Sequence, residues 1–402
     1  MNYFVFAILL NSVGTVILQV QNNFGVTQGS AAILEMFKDF SIAGVSFLAA
    51  SFITIIGYKK AMLIALGFIA VVCMVMPFTA SFITIKLLFA AIGSCFALIK
   101  ISVYSTIGLV TKGEKEHISF MNFIESFFMI GILSGNFIFS WFVDNKHPQS
   151  TSWLKVYYLL GGIAFLAFLL LLSAPLDESK SKLNVKSESS KQEFLNSLQL
   201  LVSPIVLVFV FCAFFYVLIE QSIMSWLPTF NNKVLLLPAV LSIQMASILA
   251  GSTAVGRFIA GLILKKLNWF IVVTVCLILA ATLVVVAIPL ASKVTDHAIT
   301  GWGNAPLAAF VFPLIGLFIA PIYPAINSVI LSTLPVKSHG LMSGLIIFFS
   351  AIGGTTGSII TGNIFQHYGG QKAFYFSLIP ITILIICLFL FRRLQLKNKA
   401  TT

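Results

Sequence analysis

Along this chain apolar residues gather in long runs, and polar residues are confined to short clusters between them. The runs predict twelve spans at about 2–20, 30–56, 60–79, 82–110, 119–143, 153–174, 199–229, 236–264, 268–291, 305–333, 338–365 and 371–391. A helix needs about 20 residues to cross a hydrocarbon core of about 30 Å, and these runs have that length. They lack the short alternating segments of a membrane barrel, so the predicted spanning element is the α-helix. Between the sixth and seventh runs lies APLDESKSKLNVKSESSKQEF, the one long hydrophilic segment. It reads as a flexible linker. The predicted organisation is a six-helix bundle over 1–174, a cytoplasmic linker over 175–197, and a second six-helix bundle over 198–402 ending in a short tail. The opening MNYFVFAILL has neither a basic start nor a small-x-small cleavage site, so it reads as the first permanent span.

Composition agrees with this pattern. Of 402 residues 59% are hydrophobic and 9% charged, with a mean hydropathy of +1.05, whereas soluble domains carry about 25% charged residues. The net charge of +12 would suggest nucleic acid in a soluble protein, but here its placement reports orientation. With both termini in the cytoplasm, fifteen Lys and Arg fall in inner segments and five in outer ones. That is the positive-inside bias of a multi-pass protein of the inner (plasma) membrane. The expected partners are the lipid bilayer and a small solute, with no nucleic acid, and the chain is expected to be a monomer. The cysteines (Cys73, Cys95, Cys212, Cys276, Cys387) all lie in apolar runs without paired or metal-type spacing, so no disulfide, metal or cofactor is expected.

The two bundles share a feature. ASFITIIGYKK (50–60), joining spans two and three, corresponds in position to GLILKKLNW (261–269), joining spans eight and nine. Duplicated halves are characteristic of secondary transporters. Both junctions resemble the G-x-x-x-D-x-x-G-[RK]-[RK] loop of the major facilitator superfamily. Gly57, Lys59 and Lys60 match in the first copy and Gly261 in the second, while Thr54 and Lys265 stand where that family has Asp. The resemblance implies a fold of twelve transmembrane helices in two pseudo-symmetric bundles, and it makes Lys59, Lys60 and Lys265 gate candidates.

Eight charged residues fall inside spans, where each costs roughly 2.5–3.5 kcal/mol on insertion scales and so wants a reason. Glu35, Lys38 and Asp39 stand at i, i+3 and i+4 and share one face of span two. They either top the helix near the outer headgroups or form a proton or substrate site. Lys86 lies near the outer boundary, and Lys100 is 14 residues deeper, about 21 Å along a helix. Glu125 in span five can pair with Lys100 as a structural link, or it can bind and release a proton. Glu220 has no cation in its own span, and Tyr216, one turn earlier, can donate to it. Trp226 reads as an anchor at the outer interface. Arg257 either snorkels to the inner interface or pairs with a carboxylate at an inner gate.

The stretch carrying Phe215, Tyr216, Val217, Glu220, Ser225, Trp226 and Leu227 resembles the seventh helix of the fucose–galactose–glucose:proton symporter family. APIYPAINS (320–328) resembles that family's G-x-x-[FY]-P-x-x-x-S in span ten. The acid those symporters carry in span one has no counterpart in residues 2–20. The resemblance implies proton-coupled uptake of a small, sugar-like solute.

Pro313, Pro321 and Pro324 predict a kinked span ten, in which Tyr323 and Asn327 can face a polar cavity together. Span eleven, with Ser350, Gly353 and Gly357, reads as a sliding surface between helices. GILSGN (131–136) resembles the G-x-x-x-G-P motif of antiporters, with Asn136 in place of Pro. No P-loop is present, and the five histidines lie in loops or at span ends, so an enzyme is not expected. The expected function is proton-coupled uptake of a small polar solute, sugar-like or an organic anion. Proton coupling is assigned to Glu220, Glu125, Asp39 and Glu35, and substrate binding to Tyr216, Lys100, Asn136, Tyr323 and Asn327, with Arg257 at a gate. Proton-driven efflux of a drug, metabolite or siderophore is the alternative, and a non-transporting membrane sensor is a remote one.

Overall fold

The computed structural model describes residues 1–110, 114–176, 203–264, 266–291, 299, 301–333 and 339–401. The expected linker from residue 177 onward lies outside these residues, as do Lys265 and the side chain of Glu125. Each of the twelve apolar runs carries helix. Among the described residues nine helices are long and apolar enough to cross a membrane, or ten with one bent pair counted as a single span. The chain is an all-α, multi-pass membrane protein.

The bent pair is the first span, where α1 (Asn2–Asn11) and α2 (Val13–Phe24) meet at 43°. At the joint the Ser12 hydroxyl donates to the Leu9 carbonyl at 2.7 Å, a local bond that competes with the helical ladder and bends it. Gly25 then closes α2 at φ +60°, a left-handed cap that glycine adopts without strain. A short turn, α3 (Gln28–Ala31), leads into α4 (Ile33–Ile56). Gly57, at φ +93°, lets the chain reverse into α5 (Tyr58–Val75), and α6 (Phe82–Val110), α7 (Glu114–Ser140) and α8 (Val156–Ser173) complete the first half.

The second half contains α9 (Pro204–Met224), α10 (Leu227–Lys233), α11 (Ala239–Ile263) and α12 (Trp269–Ala291). Span ten is broken rather than kinked. It runs as α13 (Leu307–Val311), a 3-10 turn, α14 (Ile315–Ile319), a second turn and α15 (Ile322–Thr333). Prolines at 313, 321 and 324 each remove a ladder donor, and three losses within twelve residues exceed what one bend absorbs. Then come α16 (His339–Tyr368), α17 (Gly370–Tyr375) and α18 (Leu378–Thr401).

The chain divides into two compact units, residues 1–26 with 33–190 and residues 27–32 with 191–402. In the first, α4 packs on α6, α5 on α8 and α1 on α7. Gly131 makes the last contact possible, since a Cβ there would run into Ala7 and the Phe4 carbonyl, whereas one at Gly135 would reach only ordinary contact with Ile8. The antiporter-like GILSGN thus serves as a small-xxx-small packing face against α1. In the second unit α9 lies between α16 and α18, and α11 packs on α14. Phe230, Phe312 and Phe374 form a ring cluster there, with centroids 4.6–5.5 Å apart. Apolar side chains also stay outside: Ile64, Phe68, Val71 and Val75 make an exposed stripe along α5 at helical spacing. In a protein whose solvent is lipid, that stripe is the expected outer face.

Two sequence-based expectations are corrected. Trp226 is 0% exposed, and its indole N–H donates to the Ser358 carbonyl at 3.1 Å. It pins the junction of α9 and α10 to α16 and is not an interfacial anchor. The small-residue stripe of span eleven is a close contact inside the second unit and not a sliding surface. A Cβ at Gly353 or Gly357 would run into the backbone of Phe214 or Leu218 on α9.

Candidate functional site

Each unit buries a polar constellation of its own. In the second unit it begins on α9, where the Tyr216 hydroxyl donates to Glu220 Oε1 at 2.7 Å across one helical turn. Tyr216 is buried and Glu220 half-buried. The Tyr216 ring stacks on Tyr323 of α15, with centroids 5.2 Å apart and planes 24° from parallel. The Tyr323 hydroxyl lies 3.2 Å from Ser350 Oγ on α16 and is also hydrogen-bonded to the Asn327 side chain. The Oδ1 of Asn327 is buried without a hydrogen-bond partner among the described residues.

The break in span ten builds this arrangement. Pro321 and Pro324 start α15 within a turn of Tyr323, so Tyr323 and Asn327 occupy its first two turns. Upstream, the Ser252 hydroxyl on α11 is 2.8 Å from the Pro313 carbonyl. Gly256 and Gly316 let α11 and α14 touch at backbone distance. Arg257, expected at an inner gate, is close enough to both tyrosines to act on them electrostatically. It therefore belongs to the same constellation as Glu220, Tyr216, Tyr323 and Asn327. Sequence reading missed Ser350 as a polar contributor because its neighbours Gly353 and Gly357 made the segment read as pure packing.

The first unit holds two clusters. On α4, Lys38 Nζ lies 2.5 Å from Glu35 Oε2 and 3.5 Å from Asp39 Oδ1. The three residues are 0%, 4% and 6% exposed in the order Glu35, Lys38, Asp39. The triad is therefore packed inside the protein and does not sit among headgroups. Gly93 of α6 is what brings the next helix against it, since a Cβ there would strike the Lys38 carbonyl.

The second cluster surrounds Lys100 on α6. Its ammonium lies 5.8 Å from the centroids of both Phe96 and Tyr104, one turn to either side. Tyr3 of α1 contacts both rings at 6.1 Å, and Phe128 of α7 contacts Tyr3 at 5.4 Å and Phe96 at 6.0 Å. The side chain of Glu125 lies outside the described residues. Asn136 is half-buried on α7. Sequence reading also passed over Thr15 and Gln19. Both are buried on α2, and each has one polar atom without a partner among the described residues. Their i, i+4 spacing in an otherwise apolar span was the available signal.

The remaining gate candidates are peripheral. Lys59 Nζ donates to the Leu172 and Ala174 carbonyls at 3.0 and 2.7 Å and so closes the end of α8. That is the interaction a cation makes at a helix C-terminus. Lys60 is exposed.

Two bundles of spanning helices with polar groups buried inside each are the architecture of a membrane transporter. The family model of the Major Facilitator Superfamily matches residues 1–301, and the chain belongs to that superfamily. Among solved structures it is similar to a bacterial homolog of the human lysosomal transporter Spinster, at 14% identity and TM-score 0.75, covering 98% of this chain and 96% of that one. It is similar to the transporter FucP in its outward conformation, at 15% identity and TM-score 0.64, with 98% and 97% covered. A D-xylose–proton symporter is a further structural neighbour, at 13% identity and TM-score 0.70, with 96% and 95% covered. No curated protein matches the chain at the level of sequence.

Proposed function

We propose that this chain is a secondary active transporter that takes up a small polar solute together with protons. Its halves, 1–174 and 198–402, joined by the linker 175–197, expose the substrate site to one side of the inner membrane at a time. It works as a monomer with both termini in the cytoplasm. The observation that carries the reading is the Tyr216–Glu220 hydrogen bond at 2.7 Å within the buried tyrosine stack. A carboxylate held by a hydroxyl inside a membrane helix can take up and release a proton, and its state is felt at once by the neighbouring aromatic pair. The D-xylose–proton symporter, which shares the fold, supports a sugar-like substrate and a proton as the coupled ion.

Glu220 is the proton carrier, Tyr216 its hydrogen-bond donor, and Tyr323 and Asn327 the substrate contacts on the broken span. Glu35, Asp39 and Glu125 are the further acids through which coupling can run. The test is uptake into proteoliposomes under an inward proton gradient, with Glu220→Gln beside the wild type. Gradient-driven accumulation that the variant loses, while it still equilibrates substrate, supports the reading. Accumulation by Glu220→Gln equal to that of the wild type overturns it.

A further inference from the structure

In the second unit α12 and α18 meet at one membrane boundary. Helix α18 stays uncharged from Leu378 to Phe391 and then presents Arg392 and Arg393, while α12 opens on Trp269 and Phe270, three residues after Lys266. Their rings lock these two ends together: Trp269 lies 5.9 Å from Phe391, and Phe270 lies 4.9 Å from Phe389, each edge to face. The Asn268 side chain fixes where α12 begins, because its Oδ1 accepts the Phe270 N–H at 2.9 Å. The Arg392 guanidinium rests over the Phe270 ring, 4.3 Å from the centroid. Such a contact holds the planar cation in place while its edge keeps N–H donors to offer.

The charge at this boundary is not balanced by the protein around it. Neither arginine takes part in an ion pair among the described residues, and in the second unit Glu220, held by Tyr216 within α9, is the sole acid among them. Arg393 and Lys266 are exposed, and Arg392 and Trp269 are half-buried. On the span side of the arginines Phe389 is 54% exposed and Ile271 53%. Cations next to an open apolar face, with a tryptophan at the level between them, match the two parts of a phospholipid. Free phosphate or a soluble acidic partner would leave the apolar part unused. A zwitterionic headgroup would bring its own cation against Arg393 and Lys266, whereas an anionic phosphodiester suits the guanidinium fork.

We propose that the second unit carries a binding site for an anionic phospholipid, formed by Arg392, Arg393 and Lys266 beside Trp269. The headgroup phosphate bridges the ends of α12 and α18, and the acyl chains lie along Phe389 and Ile271. The bound lipid steadies the contact between these helices. The site does not depend on which solute the protein carries or on proton coupling.

The experiment titrates phosphatidylglycerol and phosphatidylcholine of the same acyl chains into the purified full-length protein in detergent, read by melting temperature and by native mass spectrometry of retained lipid. Phosphatidylglycerol is expected to bind roughly tenfold or more tighter than phosphatidylcholine, the scale of two arginines acting on one anionic headgroup, and to raise the melting temperature. Glycerol 3-phosphate, which has the phosphate without the chains, is expected to give no shift. Arg392→Gln combined with Arg393→Gln is expected to make the two lipids equal. Lys372→Gln should keep the preference, since it removes a cation that lies 5.9 Å from the Tyr368 ring, ahead of the opposite end of α18. Equal binding of the two lipids by the wild type, or a shift from glycerol 3-phosphate as large as that from phosphatidylglycerol, overturns the proposal. So does an unchanged preference in the double variant, or its loss in Lys372→Gln. Should the double variant fail to fold, Arg393→Gln alone, at an exposed position, is expected to narrow the preference several-fold and decides in its place.

Discussion

Tyr216 and Tyr323 lie ring on ring with centroids 5.2 Å apart, and their hydroxyls diverge, one to Glu220 and the other to Ser350. One stacked pair thereby connects polar groups on α9, α15 and α16. The stack and the hydrogen bond can be separated by substitution. Tyr216→Phe keeps the ring and removes the donor to Glu220, a charge-assisted bond worth about 1.5–3 kcal/mol. It is expected to reduce substrate uptake by roughly tenfold or more and to lower the melting temperature in detergent. Tyr216→Leu also loses the ring contact, worth about 0.5–1.5 kcal/mol beyond area, and should lower the melting temperature further. Wild-type uptake by Tyr216→Phe would show that the hydroxyl has no part in transport.

The triad on α4 leads to a stability prediction with a rescue. Lys38 lies between two carboxylates that are almost fully buried. Removing the cation takes away the ion pair that each carboxylate makes with it, and breaking such a buried pair costs about 3–5 kcal/mol. Lys38→Met should therefore express poorly and melt well below the wild type. Glu35→Gln, Asp39→Asn and Lys38→Met combined should recover most of the loss, because no unpaired charge remains. A triple variant no more stable than Lys38→Met alone would mean that the side-chain packing, and not the charge balance, matters at this site.

Glycines divide by what faces them. A Cβ at Gly357 would overlap the Leu218 carbonyl and come within 2.8 Å of the Ser222 hydroxyl, whereas a Cβ at Gly162 on α8 would meet nothing within 4 Å. Gly357→Ala is expected to lower stability by about 1–3 kcal/mol through overpacking. Gly162→Ala should be neutral, or stabilising by about 0.4–1 kcal/mol through lost chain entropy. Thermal unfolding of the two variants side by side checks this. Equal melting temperatures would mean that α16 does not approach α9 as closely as described.

How much of this was legible in the sequence depended on the range of the interaction. Helix type and order followed from run length alone, because lipid forces every apolar run into a helix. The pairing of Tyr216 with Glu220 and the clustering of Glu35, Lys38 and Asp39 were readable, since both are one-turn relations on a single helix. What joins different helices was not readable. The stack on Tyr323, the rings that Tyr3 and Phe128 add around Lys100, and the placing of Arg257 beside the tyrosines all depend on tertiary packing. The break in span ten lay between these cases. Its prolines signalled lost donors, but whether the helix bends or breaks is decided by what α11 offers the freed backbone, such as Ser252 against Pro313.

Trp226 shows the same limit and yields the last prediction. Position near a span end suggested an interfacial anchor, but the side chain is fully buried and donates to Ser358 on α16. Its ring also packs on Phe365 at 5.7 Å and leaves room only for glycine at 362, where a Cβ would come within 2.5 Å. Trp226→Phe removes the hydrogen bond to Ser358 and shrinks a fully buried side chain, at a cost of about 1–3 kcal/mol. Trp141, which is 73% exposed, is the comparison, since an exposed substitution away from special features stays within about 0.5 kcal/mol. Unfolding in detergent should therefore separate Trp226→Phe from both Trp141→Phe and the wild type. If the two variants unfold together, the tryptophan does not tie the junction of α9 and α10 to α16, and the contact between α9 and α16 rests on Gly353 and Gly357 alone.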